Sequence, residues 1–106
     1  MSPIPTTVES FEQDVLKREG PVFVRFTATW CGPCRVLGPL FEKTAKEYED
    51  RATFVNMDVD SCSLLCSKYG VRSVPVVLAF RDGTDGNQIT GAVSSEQLTQ
   101  FVEENL

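Results

Sequence analysis

Short apolar runs and segments of helical period alternate along this chain, and that order limits its fold more than any other feature. Residues 8–19 place Val8, Phe11, Val15 and Leu16 at helical spacing, with Thr7 as a cap and Gly20-Pro21 as a stop. Pro21–Thr27 then reads as a buried strand. A helix predicted over 31–50 repeats Val36, Leu37, Leu40, Phe41, Thr44, Ala45 and Tyr48 on one side, and Pro39 inside it should kink it. Residues 52–59 predict a central strand, 61–69 a short helix ended by Gly70, and 74–80 another buried strand. Asp82-Gly83 supplies a turn and 87–90 a weak return strand. Ser94 or Ser95 caps a last helix whose Leu98, Phe101 and Val102 face inward, and Gln97 fits a capping box with Ser94. Residues 4–7 add a candidate first strand.

Strands separated by helices imply parallel pairs with right-handed crossovers, and the closing hairpin adds an antiparallel edge. The expected class is α/β, a three-layer sandwich with a central mixed sheet of four to five strands flanked by about four helices. No repeat, low-complexity tract or linker interrupts the order, so residues 1–106 read as a single domain.

Composition narrows the partners. A net charge of −5 and a pI of about 4.6 argue against a nucleic-acid backbone or an anionic membrane. The opening Met1-Ser2-Pro3-Ile4-Pro5 has neither a basic start nor a following apolar run, and no eighteen apolar residues occur together. The chain therefore reads as cytoplasmic, where its four cysteines at 31, 34, 62 and 66 are more readily catalytic, metal-binding or buried than part of a disulfide framework.

Trp30-Cys31-Gly32-Pro33-Cys34 falls where a predicted strand gives way to a helix. Two intervening residues let the sulfurs meet in a small ring, and a helix N-terminus favours thiolate over thiol. Cys31, at the helix mouth, is expected to be the exposed nucleophile, and Cys34, a turn inward, the thiol that resolves the mixed disulfide. Gly32 and Pro33 keep bulk and charge away from the sulfur. Zinc knuckles share the C-x-x-C spacing, and an inert buried pair is the bland alternative.

Here the chain resembles the thioredoxin family over nearly its whole length. The resemblance is carried by the W-C-G-P-C motif, residues 24–39, Lys68-Tyr69-Gly70-Val71-Arg72, Val74-Pro75, Gly83 and Gly91-Ala92, all in the family's order and spacing. It implies the thioredoxin fold and reduction of protein disulfides by dithiol–disulfide exchange. It further implies that no cofactor is bound and that reducing equivalents come from NADPH through a flavoprotein thioredoxin reductase. It also implies a cis Val74–Pro75 peptide beside the sulfurs, with Pro33 and Pro75 adjusting the thiol chemistry. A flat uncharged surface of Trp30, Gly32, Pro33, Val74, Pro75, Gly91 and Ala92 would hold disulfide-containing protein substrates. A thioredoxin-fold scaffold subunit and a dedicated reductant of one partner are the competing readings.

Three positions depart from the family. Arg25 stands where most members carry a buried aspartate, Asn56 where they carry a lysine, and Thr27 where they carry a tryptophan, which should leave that side of the site more open. A buried guanidinium must reach water or a carboxylate, with Asp58 and Asp60 the candidates. Arg25 then either snorkels out or lowers the pKa of Cys34 electrostatically. Cys62 and Cys66 share a helical face but stand too far apart for an unstrained bridge. They read as core residues, as a regulatory pair, or as the means of dimerising an otherwise monomeric chain; zinc shared by all four cysteines would consume the reactive pair.

Overall fold

The computed structural model describes residues 3–106; Met1 and Ser2, at the head of the single domain expected for residues 1–106, lie outside the described residues. Five strands form one sheet in the order β1-β3-β2-β4-β5: β1 Ile4–Thr6, β2 Pro21–Thr27, β3 Thr53–Asp58, β4 Val76–Arg81 and β5 Thr84–Thr90. The helical segments are α1 Glu12–Leu16, α2 Gly32–Glu47, α3 Ser63–Lys68 and α4 Ser95–Glu104, with a single 3₁₀ turn at Val59–Ser61. This is the mixed α/β sandwich that the order of elements predicts.

The side chains of β2 divide the core. Val22, Val24 and Phe26 pack with Phe11, the residue before α1, with Val15 of α1 and with Cys66 of α3, whereas Phe23 on the other face meets Leu37 and Phe41 of α2 and Leu98, Phe101 and Val102 of α4. Arg25 and Thr27 share the face of Phe23, because strand side chains alternate. That alternation aims a guanidinium at the first turns of α2.

β1 and β2 both run parallel to β3, as expected. β4, however, runs antiparallel to β2, so the antiparallel half of the sheet is β4 with β5 and not an edge hairpin alone. Helix length explains the difference. The six residues of α3 rise only about 9 Å, against roughly 20 Å for a six-residue strand. The chain therefore crosses the end of the sheet: Asp58, where it leaves β3, is opposite Thr27, and Val76, where it enters β4, is opposite Phe26. This short crossing delivers Val74 and Pro75 to the end of β2 where α2 begins.

Local chemistry trims the other elements. The helix expected over 8–19 shrinks to Glu12–Leu16, because hydroxyl groups capture the preceding backbone. Ser10 N–H donates to Thr7 Oγ1 at 3.2 Å and Thr7 N–H to Ser10 Oγ at 3.0 Å, which closes a turn ahead of the helix; Thr7 is therefore not its cap, Phe11 takes that place with no side-chain cap bond, and Val8 is left outside, exposed. Lys17 N–H then reaches back five residues to Glu12 O, a widened turn. α2 stops at Glu47, short of 50; it runs through Pro39, and Val36 points to solvent. The return strand is longer than expected. Asp82 and Gly83, at φ of 50° and 86°, close a two-residue hairpin, so pairing starts at once with Arg81 opposite Thr84. Gly83 is required there, since a Cβ would lie 2.8 Å from the Leu16 carbonyl oxygen. The last helix is as expected: Ser94 accepts from Gln97 N–H, and the Gln97 side chain accepts from Ser94 N–H.

Candidate active site

β2 ends at Thr27, and three residues later the chain turns into α2 with Cys31 as its N-cap. Pro33 lies in the first turn, where a missing N–H forfeits no intrahelical bond. Cys31 and Cys34 are joined as a disulfide, their Cα atoms 5.3 Å apart. Cys34 N–H donates to Cys31 Sγ at 3.2 Å, so an orphan donor of the helix end is aimed at that sulfur and favours negative charge on it. No acidic residue stands in that first turn to oppose it.

The sequence predicts an exposed Cys31, and here the structure corrects it. Cys31 is only 5% exposed and Cys34 1%, because both pack against Ala28, Val59 and Val74. Exchange needs one open line of approach to a single sulfur, and of the two residues Cys31 is the less covered.

The Val74–Pro75 peptide is cis, as the resemblance implies. The Val74 carbonyl oxygen lies 3.8 Å from Cys31 Sγ, and Gly91 N–H donates to Pro75 O at 2.8 Å, which draws the loop after β5 to the same end. Trp30, Cys31, Val74, Pro75 and Gly91 are thus brought together, with Gly32, Pro33 and Ala92 exposed beside them. Pro75 itself is buried and Trp30 is 65% exposed. An apolar groove of about 300 Å³ runs from Trp30 past Val59, Val71 and Val74 to Cys66.

Asp60 has a role that the sequence reading missed. It does not meet Arg25; its carboxylate accepts from Trp30 Nε1 at 3.0 Å and pins the indole beside the disulfide. Asp58 instead accepts from Asp60 N–H at the 3₁₀ turn. The only early signal was an acidic residue just past a strand, a common turn device.

Arg25 neither snorkels away nor needs a carboxylate for its hydrogen bonds. Nε donates to Asn56 Oδ1 at 2.9 Å, and Nη1 to Thr27 Oγ1 at 3.3 Å and to the Cys34 carbonyl at 3.2 Å. The guanidinium also lies against Gly38 and over the Phe41 ring. Burial pulls its pKa below the ordinary value while Glu42 pushes it back up, and an arginine so placed stays charged. The more open flank expected from Thr27 is there: a cleft of about 390 Å³ bordered by Arg25, Thr27, Thr29, Cys34, Arg35 and Asp58.

Cys62 and Cys66 are free thiols, buried on the opposite face of the sheet from Arg25. Their sulfurs are 3.6 Å apart, nearer than helical spacing alone suggests, because Cys62 precedes the first turn of α3 with non-helical backbone (φ −145°, ψ 40°). Cys62 Sγ–H donates to Asp58 O at 3.2 Å, leaving Cys66 as donor to Cys62. Burial first, then the Cys66 thiol and the nearby aspartates, push the Cys62 thiol up to about 12. Among the described residues, no three metal-ligating side chains converge, and no helix is long and apolar enough to cross a membrane.

The chain matches the thioredoxin family model over residues 2–104. It is 39% identical over 100 residues to a thioredoxin of Pseudomonas aeruginosa, covering 94% of this chain and 93% of that protein. A thioredoxin of Corynebacterium nephridii is 40% identical over 101 residues, covering 95% and 94%. An M-type chloroplastic thioredoxin of Chlamydomonas reinhardtii is 38% identical over 98 residues, covering 92% of this chain and 70% of that protein. With a Cys-x-x-Cys disulfide at the mouth of α2 as the redox-active group and a cis proline against it, the chain belongs to the thioredoxin family of protein thiol–disulfide oxidoreductases.

Proposed function

We propose that the protein works in the reducing direction, as a single-domain monomer of the cytoplasm. Cys31 thiolate attacks a disulfide of a protein substrate, and Cys34 attacks the resulting mixed disulfide to free the reduced product. The observation that carries this reading is the Cys34 N–H donating to Cys31 Sγ at a helix N-terminus, an arrangement that favours thiolate on the outer of two adjacent sulfurs. Substrate binds as an extended segment, pairing with the backbone of Val74 and lying on Trp30, Gly32, Pro33, Pro75, Gly91 and Ala92. A flavoprotein reductase drawing on NADPH returns the disulfide to the dithiol. The apolar, neutral rim supports many substrates held weakly over one held tightly.

The test is the redox potential of the Cys31–Cys34 couple together with insulin reduction in dithiothreitol. A potential at or below that of cytosolic glutathione, with rapid insulin precipitation, is the expected result. A strongly oxidising potential would reverse the direction, and inactivity at any potential would leave a scaffold.

Cys62 and Cys66 serve the core, and linking two copies through either would require α3 to open. With the Cys62 thiol pushed up to about 12 from an ordinary 9.0, the folded state holds that proton through the pH range in which the unfolded chain loses it. Stability from this group is complete below pH 9 and falls as pH rises from 9 toward 12. At pH 7.5 brief alkylation of the reduced protein should therefore mark Cys31 and leave Cys62 unmodified, read by peptide mass spectrometry. Labelling of Cys62 in the native state as fast as in urea would contradict its burial.

A further inference from the structure

Cys34 is 1% exposed, and burial among Ala28, Val59 and Val74 works against ionising its thiol. Yet the resolving step needs the thiolate. Its sulfur gives an electron pair to Cys31 Sγ, the Cys34–Cys31 bond forms as the Cys31–substrate bond breaks, and the pair departs on the substrate sulfur, which takes a proton from water. Beyond the N-terminus of α2, a positive charge on the buried side of Cys34 would offset that cost.

Arg25 lies on that side and is fixed in place. Its Nη1 bonds the carbonyl of Cys34 itself, while Asn56 and Thr27 hold the rest of the fork and Phe41 lies beneath it. The cleft bordered by Arg25, Thr27 and Cys34 opens past the exposed Thr29 and Arg35, so a proton released there can leave with water. The other charges facing this region do not replace it. Arg35 is tied at the rim by donating to Thr29 O at 2.9 Å, Asp58 borders the cleft with the wrong sign for a thiolate, and Glu42 acts on Arg25 itself.

We infer that Arg25 is a positioning residue for the resolving half-reaction: bonded to the Cys34 carbonyl from beneath α2, it holds the Cys34 thiolate, and the adjoining cleft takes its proton to solvent. The charge is positive, so it cannot accept the proton; it makes the loss of the proton easier. This deepens the exchange reading and rests on Cys34 being the resolving thiol.

Two readouts separate this role from packing. Cys34 is titrated by cysteine ¹³Cβ NMR in a Cys31→Ser background, where no partner thiol shares the proton. Replacing Arg25 by Met should raise the Cys34 midpoint by about one pH unit, a tenfold loss of thiolate at neutral pH. Arg25→Lys should restore most of it. In the protein with Cys31 intact, the second release of thionitrobenzoate from Ellman's reagent, driven by Cys34, should slow about tenfold in Arg25→Met, while the first, driven by Cys31, changes less than about twofold. An unmoved midpoint in folded Arg25→Met overturns the inference, as does equal slowing of both releases. If Arg25→Met does not fold, Arg25→Gln, which removes the charge but keeps hydrogen-bond donors, decides: a rise of about one unit supports the role and an unmoved midpoint refutes it. Asp58→Asn should lower the midpoint; a rise would hand the role to that carboxylate. If Cys34→Ser fails to trap mixed disulfides, the exchange reading itself falls, whatever Arg25 does.

Discussion

Cys31→Ser should reduce insulin no faster than dithiothreitol alone, a loss of at least about a thousandfold relative to the wild-type chain. Serine keeps the N-cap position and can still accept the Cys34 N–H, so the helix start survives while the nucleophile is removed. Cys34→Ser should fail differently. Cys31 still attacks, but the captured substrate is not expelled, and a mixed disulfide through Cys31 accumulates on non-reducing gels. The proposed order rests on Cys31 being the N-cap of α2 and Cys34 lying a turn inside the helix. If Cys31→Ser instead traps substrate through Cys34, the two roles are exchanged and the reading of the helix mouth is wrong.

Phe23→Ala should be the most damaging single change away from the sulfurs. Phe23 is fully buried; its ring stacks on Phe54 at 5.2 Å between centroids and meets Phe101 edge-on at 6.0 Å. Phe54 in turn contacts Phe41 of α2, so one ring ties β2 and β3 to both helices of that face. Removing it costs the transfer of the ring and leaves a cavity that such a network cannot collapse to fill, about 3–5 kcal/mol. A domain of this size holds only about 5–15 kcal/mol in total. Urea denaturation should show a large fall in midpoint with little change in slope. A loss under about 1.5 kcal/mol would mean that the face repacks, contrary to its interlocked rings. Phe23 and Arg25 project from the same face of β2, so surviving activity should show a slower resolving step as α2 loosens.

Much of the molecule is written in local pattern. The bounds of β2, the Ser94–Gln97 capping box, the Asp82-Gly83 hairpin and the disulfide-forming motif at a strand–helix junction all depend on residues within a few positions of one another. Backbone dihedrals and neighbouring hydrogen bonds decide such features, and those are legible residue by residue. The direction of β4, the covering of Cys31 and the partners of Arg25 and Asp60 were decided only when distant segments met. Arg25 finds Asn56 thirty-one positions away, and the Val74 carbonyl that lies against Cys31 comes from forty-three. The short α3 was legible, but not that the turn before it would set the Asp60 carboxylate 3.0 Å from the Trp30 indole, nor that β3 would set Asn56 2.9 Å from the Arg25 guanidinium. A hydrogen bond depends on tenths of an ångström between chain segments, and only the packed core sets those distances.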